Sequence, residues 1–273
     1  MYNSINKLPT FYIPHGGGPW HVMDDSFGDP EGYSKLRKYL IKWGKEYSTK
    51  TKAILIISAH WEEDKPTIHF GEKPPLFFDY YGFPESTYKL KWTAPGNSEL
   101  ALKIENLLRA NGFSTKRELY RGFDHGTFVP LMISFPEAKI PIVQLSLVNT
   151  LEPSTHISIG KVLEPLRSEG VLIIGSGMSY HNMSGFISVS SRATDISKQF
   201  DDWLKKTVEG NNIDERNRKL INWRNAKGAL DCHPRSEHLT PLFVVAGASG
   251  NDKGILDFNS KLMNINVSGY KFG

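Results

Sequence analysis

Cysteine is almost absent: Cys232 is the only one in 273 residues. No intramolecular disulfide can form, and a zinc site built from several thiolates is excluded. A lone thiol serves as a nucleophile only with a depressed pKa, and Cys232, although beside His233, reads as a bystander. No stretch of about 18 apolar residues occurs, and Met1-Tyr-Asn-Ser-Ile-Asn-Lys7 lacks the apolar core of a signal peptide. A cytoplasmic protein with no membrane role is therefore expected. Lys and Arg are scattered, and the formal net charge is only +4, so no nucleic-acid partner is expected. Also missing are His-Glu-x-x-His, an EF-hand loop and Cys-x-x-Cys. Gly-x-Ser-x-Gly is missing too, and Gly247-Ala-Ser-Gly250 falls one residue short of it.

What the chain does have is apolar strands that end in histidine. Phe11-Tyr-Ile-Pro-His15 runs into Gly16-Gly-Gly18, Ile54-Leu-Ile-Ile-Ser-Ala leads to His60, and Val171-Leu-Ile-Ile-Gly-Ser-Gly-Met-Ser-Tyr leads to His181. Glycines after a strand let backbone or ligand approach closely. Between the strands, helical spacing appears over Pro30–Glu46 (Tyr33, Leu36, Leu40, Trp43) and Ser98–Ala110. It recurs at 130–135, 155–167, 194–208 and 214–226, and in a buried helix opening at His238, where Pro241 must sit in the first turn. An uninterrupted apolar run at 53–58 reads as a strand covered on both faces, 142–147 and 171–174 read as further strands, and the tail from Gly254 reads as a strand pair. Residues 71–97, aromatic and punctuated by Pro and Gly, read as a long ordered loop of the kind that covers a site. The alternation predicts a three-layer α/β/α sandwich around a mostly parallel or mixed sheet, in one domain spanning 1–273.

In such sheets sites form beyond the carboxyl ends of the strands. His15, His60 and His181 should converge there, with His125 on a glycine-rich loop and His238 at a helix start as further contributors. Imidazole suits zinc and iron alike. His21, His69, His156 and His233 lack this context and read as structural.

His15-Gly-Gly-Gly-Pro, Ser58-Ala-His60-Trp61, Gly122-Phe-Asp-His125-Gly, Ser179-Tyr-His181-Asn182 and Glu237-His238-Leu-Thr-Pro-Leu together resemble the motif set of class III extradiol ring-cleavage dioxygenases (LigB-like). The similarity is to the branch containing the 4,5-DOPA dioxygenases. Phe83-Pro-Glu-Ser-Thr-Tyr and Ile140-Pro-Ile-Val-Gln-Leu-Ser also resemble that branch. The resemblance implies one divalent metal ion, Zn(II) or Fe(II), held by His15, His60 and His238. It makes His181 an acid/base residue and a possible fourth ligand when substrate is absent, and it places His125 over substrate and oxygen. His238 stands where two-subunit relatives carry a glutamate; the adjacent Glu237 is expected to point elsewhere. The implied reaction inserts O2 beside the diol of a catechol such as L-DOPA to give a semialdehyde. In it His181 takes a phenolic proton, His125 or His181 returns one, and the loop Phe77–Phe83 covers the ring. Arg121, Lys89 and Arg235 are candidates for a substrate carboxylate, and the glycines after His15 should keep side chains out of the substrate's way. A zinc-dependent hydrolase on the same scaffold and a non-catalytic metal- or aromatic-binding relative are the alternative readings.

Overall fold

Four apolar runs form the middle of one sheet. The computed structural model describes residues 7–188 and 190–273; residues 1–6, read above for a signal segment, lie outside them. The strands are β1 (Thr10–Pro14), β2 (Ala53–Glu63), β3 (Thr67–His69), β4 (Lys116–Glu118), β5 (Ile142–Val148), β6 (Val171–Gly177), β7 (Gly254–Leu262) and β8 (Ile265–Phe272). Their order across the sheet is β4-β3-β5-β2-β6-β1-β8-β7. The central β5-β2-β6-β1 block is parallel, with Leu55 registered on Val143 and Ile173, and Phe11 on Ile174. β8 and β7 continue the sheet antiparallel beyond β1, and β3 joins β5 antiparallel on the other side. The sheet is therefore mixed, and the parallel block directs its carboxyl ends to one edge.

The helices are α1 (Pro30–Tyr47), α2 (Ser98–Ala110), α3 (His125–Ser134), α4 (Pro153–Leu163), α5 (Met183–Ser188), α6 (Ser191–Val208), α7 (Ile213–Ile221), α8 (Ala229–Cys232) and α9 (Thr240–Ala248). α1 and α3 pack together on one face, and α9, α4 and α2 lie on the other. That makes the three-layer α/β/α sandwich. α1 starts where the Asp29 side chain accepts from the Gly32 N–H, and it buries Tyr33, Leu36, Leu40, Trp43 and Tyr47. α4 and α9 touch backbone to backbone: a Cβ on Gly160 would lie 2.0 Å from the Val244 carbonyl oxygen.

Several boundaries differ from the sequence expectation. β2 runs on through His60 to Glu63, so His60 lies inside the strand, where the pairing with β5 slips between Ile57 and Glu62. A slip of this kind re-aims the intervening side chains. α3 begins at His125 because Asp124 caps it, accepting from the Thr127 N–H; His125 is thus a first-turn helical residue. α9 starts at Thr240, two residues after His238. The stretch 155–167 resolves into α4 and a 3-10 segment, Glu164–Glu169, stopped by left-handed Gly170. Residues 71–97 contain only a 3-10 turn, Glu85–Lys89, and a bridge from Leu76 to Phe123. Among the described residues no helix is long and apolar enough to cross a membrane.

Candidate metal centre

The five singled-out histidines meet at the carboxyl edge of the parallel block. His15 follows β1, His60 sits in the slipped part of β2, and His181 lies four residues beyond β6. α3 and the approach to α9 deliver His125 and His238. The ring centres of His15, His60 and His238 form a nearly equilateral triangle, with sides of 4.9, 4.8 and 5.2 Å. His60 Nε2 is 3.2 Å from both His15 Nε2 and His238 Nε2. His125 lies 4.0 Å from His60 between ring centres, and His181 stacks on His238 at 3.4 Å with the planes 12° apart. Nitrogens of His15, His60 and His125 fall within 4.8 Å of one another, as do ligand atoms of His181, Glu237 and His238.

The outer nitrogens explain why the Nε2 atoms face inward. His15 Nδ1 meets Ser176 Oγ at 3.1 Å, and that hydroxyl donates to the Gly126 carbonyl. The carbonyl is free because Pro130, four residues on in α3, has no N–H to bond it. With the Ser176 proton so committed, its oxygen accepts from His15 Nδ1–H, leaving the His15 Nε2 lone pair in the cavity. His238 Nδ1 meets Glu237 Oε1 at 3.0 Å, and His181 Nδ1 meets the same oxygen at 3.2 Å. His125 Nδ1 meets Asp79 Oδ1 at 2.8 Å, and Asp79 Oδ2 lies 3.5 Å from His60 Nδ1. Burial, then the neighbouring histidines, pushes His15 and His238 well below the usual imidazole range; burial and His125 bring His60 to about 4. These three are neutral at pH 7. Ring nitrogens 3.2 Å apart either share a proton or, with the His60 proton on Nδ1, turn three lone pairs toward one point where a cation would bind. Two nitrogens bound to one tetrahedral zinc stand about 3.3–3.4 Å apart, so the three residues fit a metal ion.

Asp124 supports this layout from below. Fully buried, its carboxylate accepts from Ser58 Oγ at 2.6 Å, Arg121 Nη1 at 3.0 Å and the Gln144 amide. Arg121 in turn donates to the His60 carbonyl at 3.0 Å and lies between the Trp61 and Phe77 rings.

Some expectations are corrected. Glu237 does not point elsewhere: Leu239 and Thr240 bond back to the Ser236 carbonyl, and in that turn Glu237 lies against His181 and His238. Arg121 is no free partner for a substrate carboxylate, since Asp124 and the His60 carbonyl engage it. Lys89 pairs with Glu85 on the surface. Arg235 pairs with Glu62 and reaches Glu237 at 3.5 Å, but its side chain is 56% exposed. The glycines after His15 make room for aromatic rings. A Cβ on Gly16 (φ +77°) would lie 2.4 Å from Trp20 Nε1, which donates to the His15 carbonyl at 2.7 Å, and Phe83 closes over Gly18.

Two of the histidines set aside have partners of their own: His156 bonds the Glu152 carbonyl and the Val148 N–H, and His233 meets the Ser179 carbonyl. Cys232 is buried, and burial pushes its thiol pKa up, which makes a poor nucleophile. Asp79 went unnoticed in the sequence. Its loop is pinned by Phe77 N–H to the Phe123 carbonyl and by Phe78 and Tyr80 against Phe128, while Tyr81 stays exposed.

Known proteins are similar to this chain over most of its length. A 4,5-DOPA dioxygenase extradiol of Beta vulgaris is 40% identical over 266 residues, covering 95% of this chain and 94% of its own. Proteins of that name from Portulaca grandiflora (37%; 90% and 88% covered) and Escherichia coli (30%; 90% and 86%) are similar too. The crystal structure of an uncharacterized Escherichia coli K12 protein superposes with a TM-score of 0.77 at 24% identity, covering 97% of this chain and all of that one, and shares the fold. The model of the catalytic LigB subunit of aromatic ring-opening dioxygenase matches residues 9–271. The chain belongs to this LigB family and is an aromatic ring-opening dioxygenase.

Proposed function

We propose that residues 1–273 form a single catalytic domain that opens the ring of a catechol such as L-DOPA, the substrate class in the relatives' names. Both atoms of O2 enter beside the diol, and the product is an open-chain semialdehyde. The observation that carries the reading is the triangle of three imidazoles, with His60 Nε2 3.2 Å from the Nε2 atoms of both His15 and His238. His15, His60 and His238 would hold one divalent ion, Fe(II) or Zn(II). When bound, the ion supplies an anchor for the diol and a path for electron density toward dioxygen.

Spacing separates ligands from neighbours. With the metal about 3.2 Å from each ring centre, two ligands at tetrahedral or octahedral angles have centres about 4.5–5.2 Å apart. The His15–His60–His238 triangle meets that range. His60–His125 at 4.0 Å and His181–His238 at 3.4 Å do not, so His125 and His181 serve the substrate in this arrangement. His181 accepts a phenolic proton, and the Glu237 carboxylate on its Nδ1 orients the ring and stabilises the imidazolium that forms. His125, against the Tyr80 ring at 6.0 Å, stands on the other side of His60 to return a proton as the ring opens. Phe77–Phe83 shields the site from water as a fixed wall.

Fe(II) is added anaerobically to metal-free protein, and oxygen uptake is followed with a panel of catechols. Uptake matched by semialdehyde formation supports the reading. A flat oxygen trace with stoichiometric metal would sink it in favour of a binding protein, and hydrolysis without oxygen uptake in favour of a zinc hydrolase.

A further inference from the structure

One carboxylate touches two of the clustered histidines from a loop that has no other polar tie to them. Asp79 Oδ1 accepts from the backbone N–H of His125 at 2.8 Å and meets the Nδ1 of the same residue at 2.8 Å. Asp79 Oδ2 lies 3.5 Å from His60 Nδ1. The Asp79 side chain is 13% exposed and that of His125 9%, so both are largely shielded from solvent. The backbone N–H can only donate, so Oδ1 is an acceptor there. An ionised carboxylate has no proton to offer Nδ1, and the ring nitrogen must donate as well.

We propose that Asp79 is a positioning residue that locks His125 as its Nδ1–H tautomer, so that in the resting enzyme His125 presents Nε2 as a proton acceptor. This rests on the reading of the centre as a ring-opening site, and it changes the part His125 plays there. A histidine waiting to donate would carry its proton on Nε2. One held by Asp79 must first take a proton at Nε2; the imidazolium so formed, paired with Asp79, then gives it back. A diol has two phenolic protons, and the centre has two carboxylate-backed imidazoles, His181 with Glu237 and His125 with Asp79. His181 takes the first proton and His125 the second, and both return to the opened product, which keeps the hydrogen count of the diol. Its two added oxygen atoms come from O2, both imidazoles end neutral, and the balance needs no further reactant.

Asp79 also gives the aromatic loop its seat. Phe77 is fixed by backbone to Phe123, and Tyr80 packs on His125. Asp79 lies between these contacts, so the wall over the substrate and the tautomer of His125 are set by the same side chain.

The test uses full-length protein in two states. On metal-free protein, long-range proton–nitrogen correlation of the histidine rings reads the tautomers directly. His125 should be Nδ1–H in the wild type and in Asp79→Asn, whose amide oxygen still accepts, and should move toward Nε2–H in Asp79→Ala. On Fe(II)-loaded protein, kcat should fall about 100-fold in Asp79→Asn, which cannot stabilise the imidazolium, and further in Asp79→Ala. KM should stay within about threefold and bound metal near the wild-type amount. An Nε2–H His125 in the wild type overturns the proposal, as does full kcat in Asp79→Ala. So does a loss of bound metal that accounts for the whole fall in rate, since that makes Asp79 merely structural. If the wild type opens no catechol at all, the ring-opening reading fails, and the tautomer spectra still decide what Asp79 does.

Discussion

Replacing Asp124 by alanine should destabilise the metal-free protein by about 4 kcal/mol. The carboxylate is fully buried and ends four interactions at once: Ser58, Gln144, Arg121 and the Thr127 N–H at the start of α3. Loss of the helix cap alone costs about 1 kcal/mol. The larger cost is the Arg121 guanidinium, whose side chain is 16% exposed and which would be left without its carboxylate. Breaking a buried pair from one side costs about 3–5 kcal/mol. The orphaned Ser58 and Gln144 donors lie within the same network, so their terms overlap and are not added. For a chain of this size the loss lowers Tm by roughly 8–16 °C. Urea unfolding of metal-free wild type and Asp124→Ala at pH 7, followed by circular dichroism, measures it. Asp124→Asn, which keeps an acceptor for Ser58 but turns an amide donor toward Gln144, should lose about half as much. A difference below about 1 kcal/mol for the alanine variant would refute the view that Asp124 organises this edge of the sheet.

Three further outcomes follow from named contacts. His181→Ala should abolish turnover with bound metal unchanged, whereas His15→Ala should lose both; metal loss in His181→Ala would make it chiefly a ligand. Arg235→Ala should raise KM for L-DOPA about tenfold relative to unsubstituted catechol, and an equal change for both would remove it as a carboxylate partner. His156 is pressed to about 4 by burial, its Nδ1–H donating to the Glu152 carbonyl and its Nε2 accepting from the Val148 N–H. The unfolded chain takes up this proton below pH 6.5 and the folded one only near 4. The stability it brings is therefore full above 6.5 and is lost as pH falls toward 4, by about 3 kcal/mol. His156→Gln should flatten that part of the pH profile, and an unaltered slope would contradict the assignment.

The parts of this fold written in local pattern were legible. Ser98–Ala110 is marked by its apolar stripe and its Asn-Gly stop, and the structure has α2 over the same residues. The uninterrupted apolar run at 53–58 and the strands read at 142–147 and 171–174 lie in the middle of the sheet, where a strand covered on both faces has no solvent side to fill with charge. The convergence of His15, His60 and His181 followed from a parallel sheet having one carboxyl edge. What escaped depends on tertiary placement. β3 and β4 are three residues each and exist by pairing alone. β2 carries two glutamates at its end, which masked its length. Asp79 sits in a segment with no period, and Glu237 beside a singled-out histidine; neither spacing nor composition tells where a carboxylate turns. Asp124 did leave a signal, an N-cap residue directly before an apolar run, and reading it would have started α3 at His125.

The central claim is that the three inward-facing imidazoles hold a metal at which an aromatic diol is opened by dioxygen. Its most direct test is turnover of a catechol under oxygen-18 gas by Fe(II)-loaded wild type and His238→Ala, with the product weighed by mass spectrometry. The account predicts a ring-opened semialdehyde carrying both heavy oxygen atoms from the wild type and none from the variant. An unlabelled product, or labelled product from His238→Ala at the wild-type rate, would contradict it.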